Sequence, residues 1–108
     1  MKSERKVKME TRHWNKDRKY RDDFIREVIG YGNVIHSEIV DRGHKNGAEI
    51  HKITDTGLIM VYNQRTKKHV TTMVARVGQL KRYAIPKSEL KSVLRIARHN
   101  VDMGYNFE

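Results

Sequence analysis

A chain of 108 residues, 37% apolar and 33% charged, can bury one lean core and has no room for a separate substrate domain beside it. A net charge of +10 points to polyanionic partners, and the lack of cysteine excludes a disulfide framework, a thiolate nucleophile and Cys-based zinc or iron–sulfur centres. No apolar run approaches the ~20 residues of a membrane span and no signal-peptide pattern opens the chain, so the expectation is a cytoplasmic protein with no membrane partner.

The charge is concentrated in two places. Residues 1–21 carry a net +6, and residues 65–82 carry another +6 through Arg65, Lys67, Lys68, Arg76, Lys81 and Arg82 with no acid among them. Such segments focus potential on a partner better than an even scatter does.

Taken in chain order, residues 1–17 mix cations with His13 and Trp14 but show neither a helical nor an alternating apolar period, which reads as a basic N-terminal arm. From Arg18 the pattern changes. Tyr20, Phe24, Ile25, Val28 and Ile29 recur at helical spacing, Asp17 suits the N-cap, and Gly30 and Gly32 end the run, so a helix is predicted over about residues 18–29.

The β-branched stretch Val34–Val40 follows, and then a polar loop from Asp41 to Gly47. Ala48–Thr54 alternates in part, Leu58–Tyr62 is apolar on both faces and reads as a central strand, and His69–Arg76 is rich in Val and Thr. Asp55-Thr56-Gly57 signals a hairpin, which makes an antiparallel meander the simplest arrangement. Gly78–Tyr83 reads as a further short strand or a turn. Pro86 opens a last helix with an apolar stripe of Leu90, Val93, Leu94, Ala97 and Val101, and Gly104 sits where it would stop.

The predicted class is therefore α+β: an N-terminal helix packed on a three- to four-stranded antiparallel sheet, followed by a C-terminal amphipathic helix. Residues 18–104 form the domain and residues 105–108 a tail. Both helices are expected on one sheet face, leaving the other open to a ligand.

Alternation along the third of these strands would place His69, Thr71, Met73 and Ala75 on one face, with His69 and Thr71 as neighbours beside Lys67. A histidine, a hydroxyl and several cations are the groups that metal-independent RNA cleavage needs: one takes the proton of the 2′-hydroxyl, another protonates the leaving oxygen, and fixed cations offset phosphorane charge. His36, His44 and His51 are alternative sources of the imidazole. His44 and His51 lack metal-ligand spacing, the acids are scattered, and neither a P-loop nor a GxGxxG occurs, so no metal and no cofactor are expected. Trp14, Tyr20, Tyr62 and Tyr83 are available to stack on bases.

The helix, the run Asp41-Arg42-Gly43-His44-Lys45-Asn46-Gly47-Ala48-Glu49-Ile50-His51, the strand from Leu58 to Asn63 and the block from His69 to Tyr83 resemble small phage-encoded proteins of the barnase–EndoU–colicin–RelE-like superfamily, over about residues 20–84. The resemblance implies a helix on a four-stranded antiparallel sheet and descent from metal-independent endoribonucleases and toxins. It directs attention to His51, His69, Thr71 and Arg76 as catalytic candidates. Arg65, Lys67, Lys68, Gln79, Lys81, Arg82 and Tyr83 are then the candidates for binding nucleic acid or a partner. No glutamate adjoins His69, and Glu49 is the nearest alternative. The functional expectation is engagement of nucleic acid, RNA above DNA, by an endoribonuclease-like domain in the host cytoplasm. The alternative is a non-enzymatic inhibitor of anti-CRISPR type that binds a host nuclease or its ribonucleoprotein complex.

Overall fold

The computed structural model describes residues 18–106; the basic arm, its Trp14 and the Asp17 cap lie outside that range. Helix α1 (Arg18–Phe24) runs on as a π-helical turn (Ile25–Ile29). The Gly30 N–H closes that turn on the Ile25 carbonyl five residues back, at 2.7 Å. Four strands follow: β1 (Val34–Val40), β2 (Glu49–Thr54), β3 (Leu58–Asn63) and β4 (His69–Val74). They pair as an antiparallel meander in the order β1-β2-β3-β4. A short helix α2 (Val77–Leu80) and a long helix α3 (Lys87–Asp102) complete the chain. The α+β class and the helix–meander–helix order are as the sequence predicts, whereas residues 78–83 form neither strand nor simple turn, because α2 occupies their first part.

Directly paired residues share a sheet face. His36, Ile53, Ile59 and Met73 pair in turn across the four strands, and the next rung on that face is Glu38, His51, Val61 and Thr71. Ile53, Ile59 and Val61 join Leu80 of α2 and Val93 and Ala97 of α3 in the main core. Leu58 and Val74 pair with each other one residue out of phase, so they face the opposite way, and there they bury Ile25. The two helices thus pack on opposite faces, not on one. The reason lies in β3, whose apolar residues on both sides require cover on both sides.

Local details refine the expected stripes. The π turn leaves Ile25 buried but Val28 half exposed. On α3, Leu90, Val93, Leu94 and Ala97 pack inward, but Val101 is 39% exposed and the buried position beside it belongs to Asn100. Its amide donates to the Thr56 carbonyl at 2.9 Å and ties the helix to the β2–β3 hairpin. Helix α3 starts after Pro86 and ends before Gly104, at φ +78. Tyr105, in the expected tail, packs against Ile25, Leu58 and Val74 and meets Phe24 edge to face at 5.4 Å.

The hairpin leaves no space for a side chain at Gly57. This residue lies at φ +87, and a Cβ there would come within 2.9 Å of the Asn100 amide. Gly57→Ala is expected to lower stability by about 1–2 kcal/mol from the left-handed backbone alone, and by more through the clash. Urea unfolding monitored by circular dichroism measures it, and an unchanged midpoint would refute the packing described.

Candidate functional site

On the face that α3 covers, the helix reaches only part of the sheet. Beyond it, the rung Glu38-His51-Val61-Thr71 forms one side of a cavity of about 490 Å³. The remaining walls are Val40, Arg42, Glu49, Val70, Met73, Gln79, Arg82 and Tyr83.

His51 lies at the centre of this arrangement and is 2% exposed. Both ring nitrogens are engaged, Nε2 with Glu49 Oε1 at 3.0 Å and Nδ1 with the Tyr83 hydroxyl at 2.7 Å. An ionised carboxylate only accepts, so Nε2–H donates to Glu49, and Nδ1 in turn accepts from the Tyr83 hydroxyl. The result is a directed chain from phenol to imidazole to carboxylate. The phenol oxygen keeps its lone pairs for whatever enters the cavity.

Glu49 and His51 meet because residues two apart on a strand share a face. The same spacing brings His36 to Glu38, whose Oε1 accepts from Nε2 at 2.7 Å and from the Ala84 N–H at 3.1 Å. That second bond fastens the segment carrying Tyr83 to the edge strand β1. The hydrogen bond from His36, helped by the one from Ala84, holds the Glu38 carboxyl below its ordinary range. Burial pushes the Tyr83 phenol above its ordinary range, and Arg42 and Arg82 oppose that shift while Glu38 and Glu49 add to it.

Gln79 serves the fold as well as the cavity wall, since its side-chain oxygen accepts the Arg76 N–H at 2.9 Å and caps α2. Arg42 and Arg82 are exposed and, among the described residues, form no ion pair. Arg21 arrives from α1 and donates to the Thr71 hydroxyl at 3.0 Å. No group of three His, Asp or Glu side chains among the described residues is placed to hold a metal ion.

Of the residues singled out from the sequence, His51, Thr71, Gln79, Arg82 and Tyr83 come together here. His69 does not, and its expected pairing with Thr71 is corrected. Val61 pairs with Thr71 but Tyr62 with His69, so Val70 is an extra residue and His69 emerges on the opposite face from Thr71. It bonds Thr72 at 2.8 Å and shares a different cavity with Tyr62, Met60, Asp22 and Tyr31. Arg76 lies at the start of α2 and lines a separate depression with Arg98 and Asp102. Arg65, Lys67 and Lys68 occupy the exposed β3–β4 turn, and Lys81 is exposed without lining the cavity. Sequence reasoning passed over Glu38 and Arg42 and named His36 only as an alternative imidazole, although the repeated acid–histidine spacing of two on neighbouring strands was a signal for the Glu38–His36 pair.

Both titration shifts have testable signs. The depressed Glu38 contributes stability that is complete above the ordinary carboxyl value of 4.5 and is lost as pH falls through its lower folded value. Glu38→Gln is therefore expected to flatten the acid limb of a stability–pH curve, and an unaltered limb would disprove the bonding described. For Tyr83 the sign is reversed: its contribution is complete below 10 and is lost as pH rises through the higher folded value. Phenolate absorbance should contain one late-titrating component that disappears in Tyr83→Phe.

Comparison with family models, curated proteins and solved structures finds no match to this chain.

Proposed function

We propose that this basic domain engages RNA and that the cavity over His51 receives a phosphodiester, which it is equipped to cleave without a metal. The supporting observation is the Tyr83–His51–Glu49 chain, set in a cavity that also presents two arginines with no ion pair among the described residues. The resemblance to the barnase–EndoU–colicin–RelE-like superfamily, read from residues 20–84, favours the same chemistry.

In this reading Arg42 and Arg82 hold the non-bridging phosphate oxygens, for which their planar donor forks are suited. The 2′-hydroxyl attacks phosphorus. Its proton passes to the Tyr83 oxygen as the Tyr83 proton passes to His51 Nδ1, and Glu49 offsets the charge of the resulting imidazolium. The new 2′-O–P bond forms while the P–O5′ bond breaks, O5′ takes a proton from water at the open side of the cavity, and the hydroxide so formed recovers the proton from His51 through Tyr83. The products are a 2′,3′-cyclic phosphate and a 5′-hydroxyl. Tyr83 is the residue that exchanges a proton with the substrate, while Arg42 and Arg82 hold its phosphate. His51, buried and saturated with hydrogen bonds, acts through Tyr83 as a positioning residue and proton acceptor.

The experiment is incubation of the purified protein with end-labelled RNA in EDTA, read for 2′,3′-cyclic phosphate ends. Tyr83→Phe is expected to lower cleavage about 10²–10⁴-fold with RNA affinity nearly unchanged. RNA that is bound but never cut reduces the protein to a binder. Failure to bind RNA, with capture of a host nuclease or its ribonucleoprotein instead, would replace this reading by the inhibitor one.

A further inference from the structure

The β1–β2 connection (residues 41–48) and the β3–β4 connection (residues 64–68) meet at one end of the sheet and are bonded to each other. The Gln64 N–H donates to the Ala48 carbonyl at 3.0 Å. The Asn63 amide and the Arg65 guanidinium both donate to the Asn46 carbonyl, at 3.2 and 3.3 Å. Within the second loop, Asn63 Oδ1 accepts the N–H groups of Arg65 and Thr66 at 2.9 and 2.8 Å. These are built loops, held in one geometry by side-chain amides.

What they present is positive charge. Arg42, Lys45, Arg65, Lys67 and Lys68 are all exposed, and none forms an ion pair among the described residues. The one acid in the two loops, Asp41, accepts the Gly43 N–H at 2.9 Å.

Lys67 carries a second, independent signal. It has φ +65, the one non-glycine residue with positive φ among those described. A β-carbon is disfavoured in that region, and glycine would form the same turn without that cost. The backbone bonds of the turn, Lys67 N–H to the Asn63 carbonyl at 2.8 Å and Asn63 N–H to the Lys68 carbonyl at 2.9 Å, do not need the lysine side chain. A charged side chain kept where the backbone prefers none points to a use for the charge.

We infer that the two interlocked loops form a second phosphate-contact site, joined to the cavity through Arg42, across which the RNA strand continues from the scissile phosphate. The inference rests on the RNA reading above and extends it from one nucleotide step to a track several nucleotides long. Neither loop carries Phe, Tyr or Trp, so the contacts go to phosphates and not to bases, and the site is indifferent to sequence.

The test uses uncleavable 2′-O-methyl oligouridines of three and twelve nucleotides, titrated against the full chain over a range of salt. The variants are Lys67→Gly, the triple variant Lys45→Gln/Lys67→Gly/Lys68→Gln, and Arg82→Ala. On the twelve-mer the triple variant is expected to reduce the slope of log K against log salt by about 2, at roughly 0.7 per lost contact on a single strand. On the trinucleotide it should match wild type. Arg82→Ala should weaken both oligomers, and Lys67→Gly should unfold at or above the wild-type temperature. A wild-type slope for the triple variant on the twelve-mer, or an equal loss on both lengths, overturns the second site while the Arg82 result still upholds the cavity. A lower melting temperature for Lys67→Gly overturns the claim that the lysine is kept against a backbone cost. Wild-type protein that binds neither oligomer overturns both the site and the RNA reading.

Discussion

A buried imidazole has two nitrogens to satisfy, and leaving one bare costs about 1–3 kcal/mol. His51 meets the demand from two directions. Glu49 is its neighbour two residues back on the same strand, whereas Tyr83 is 32 residues away. The second bond exists only because the chain turns back over the sheet after β4. Helix α2 makes that turn, with Gln79 capping its start and Leu80 buried under it. The Ala84–Glu38 bond then closes the segment onto β1. The cavity, the place of Arg82 and the protected state of the phenol all follow from the same return of the chain.

The space for that cavity comes from the way the helices divide. Because β3 is apolar on both sides, α1 must guard Leu58 on one face while α3 covers Ile59 on the other. One helix cannot blanket a whole four-stranded face. Ile53 and Ile59 are sealed at the centre of one rung, and the next rung, with Glu38, His51 and Thr71, borders the open cavity. Polar side chains on that rung are tolerated for the same reason: they border solvent on one side and one another on the other.

Charge that is contiguous in sequence is dispersed in space. The acid-free run from residue 65 to residue 82 supplies Arg65, Lys67 and Lys68 to the loop end of the sheet, Arg82 to the cavity, and Arg76 to a separate depression at the start of α2. Arg42, from a segment with a net negative balance, joins Arg82 across the cavity. A fold thus reassigns charge: its electrostatic surface depends on which loops meet, not on which residues follow one another.

The elements themselves were legible in the sequence because they rest on local periodicity. The β-branched run at Val34–Val40, the Asp55-Thr56-Gly57 hairpin, the doubly apolar β3 and the Pro86 and Gly104 boundaries of α3 each report a backbone preference that acts within a few residues. His51 and Tyr83 were legible as candidates but not as partners. Three decisions belonged to the tertiary structure alone. The extra residue at Val70 reversed the face of His69, and no local signal distinguishes a strand with a bulge from one without. The replacement of Val101 by Asn100 in the buried stripe was decided by the Thr56 carbonyl, a group on the other side of the fold. The union of Glu38, Glu49, His51 and Tyr83 was decided by sheet register and by the path of the chain over the sheet. Periodicity fixes which way a side chain points relative to its own element; only packing fixes what it finds there.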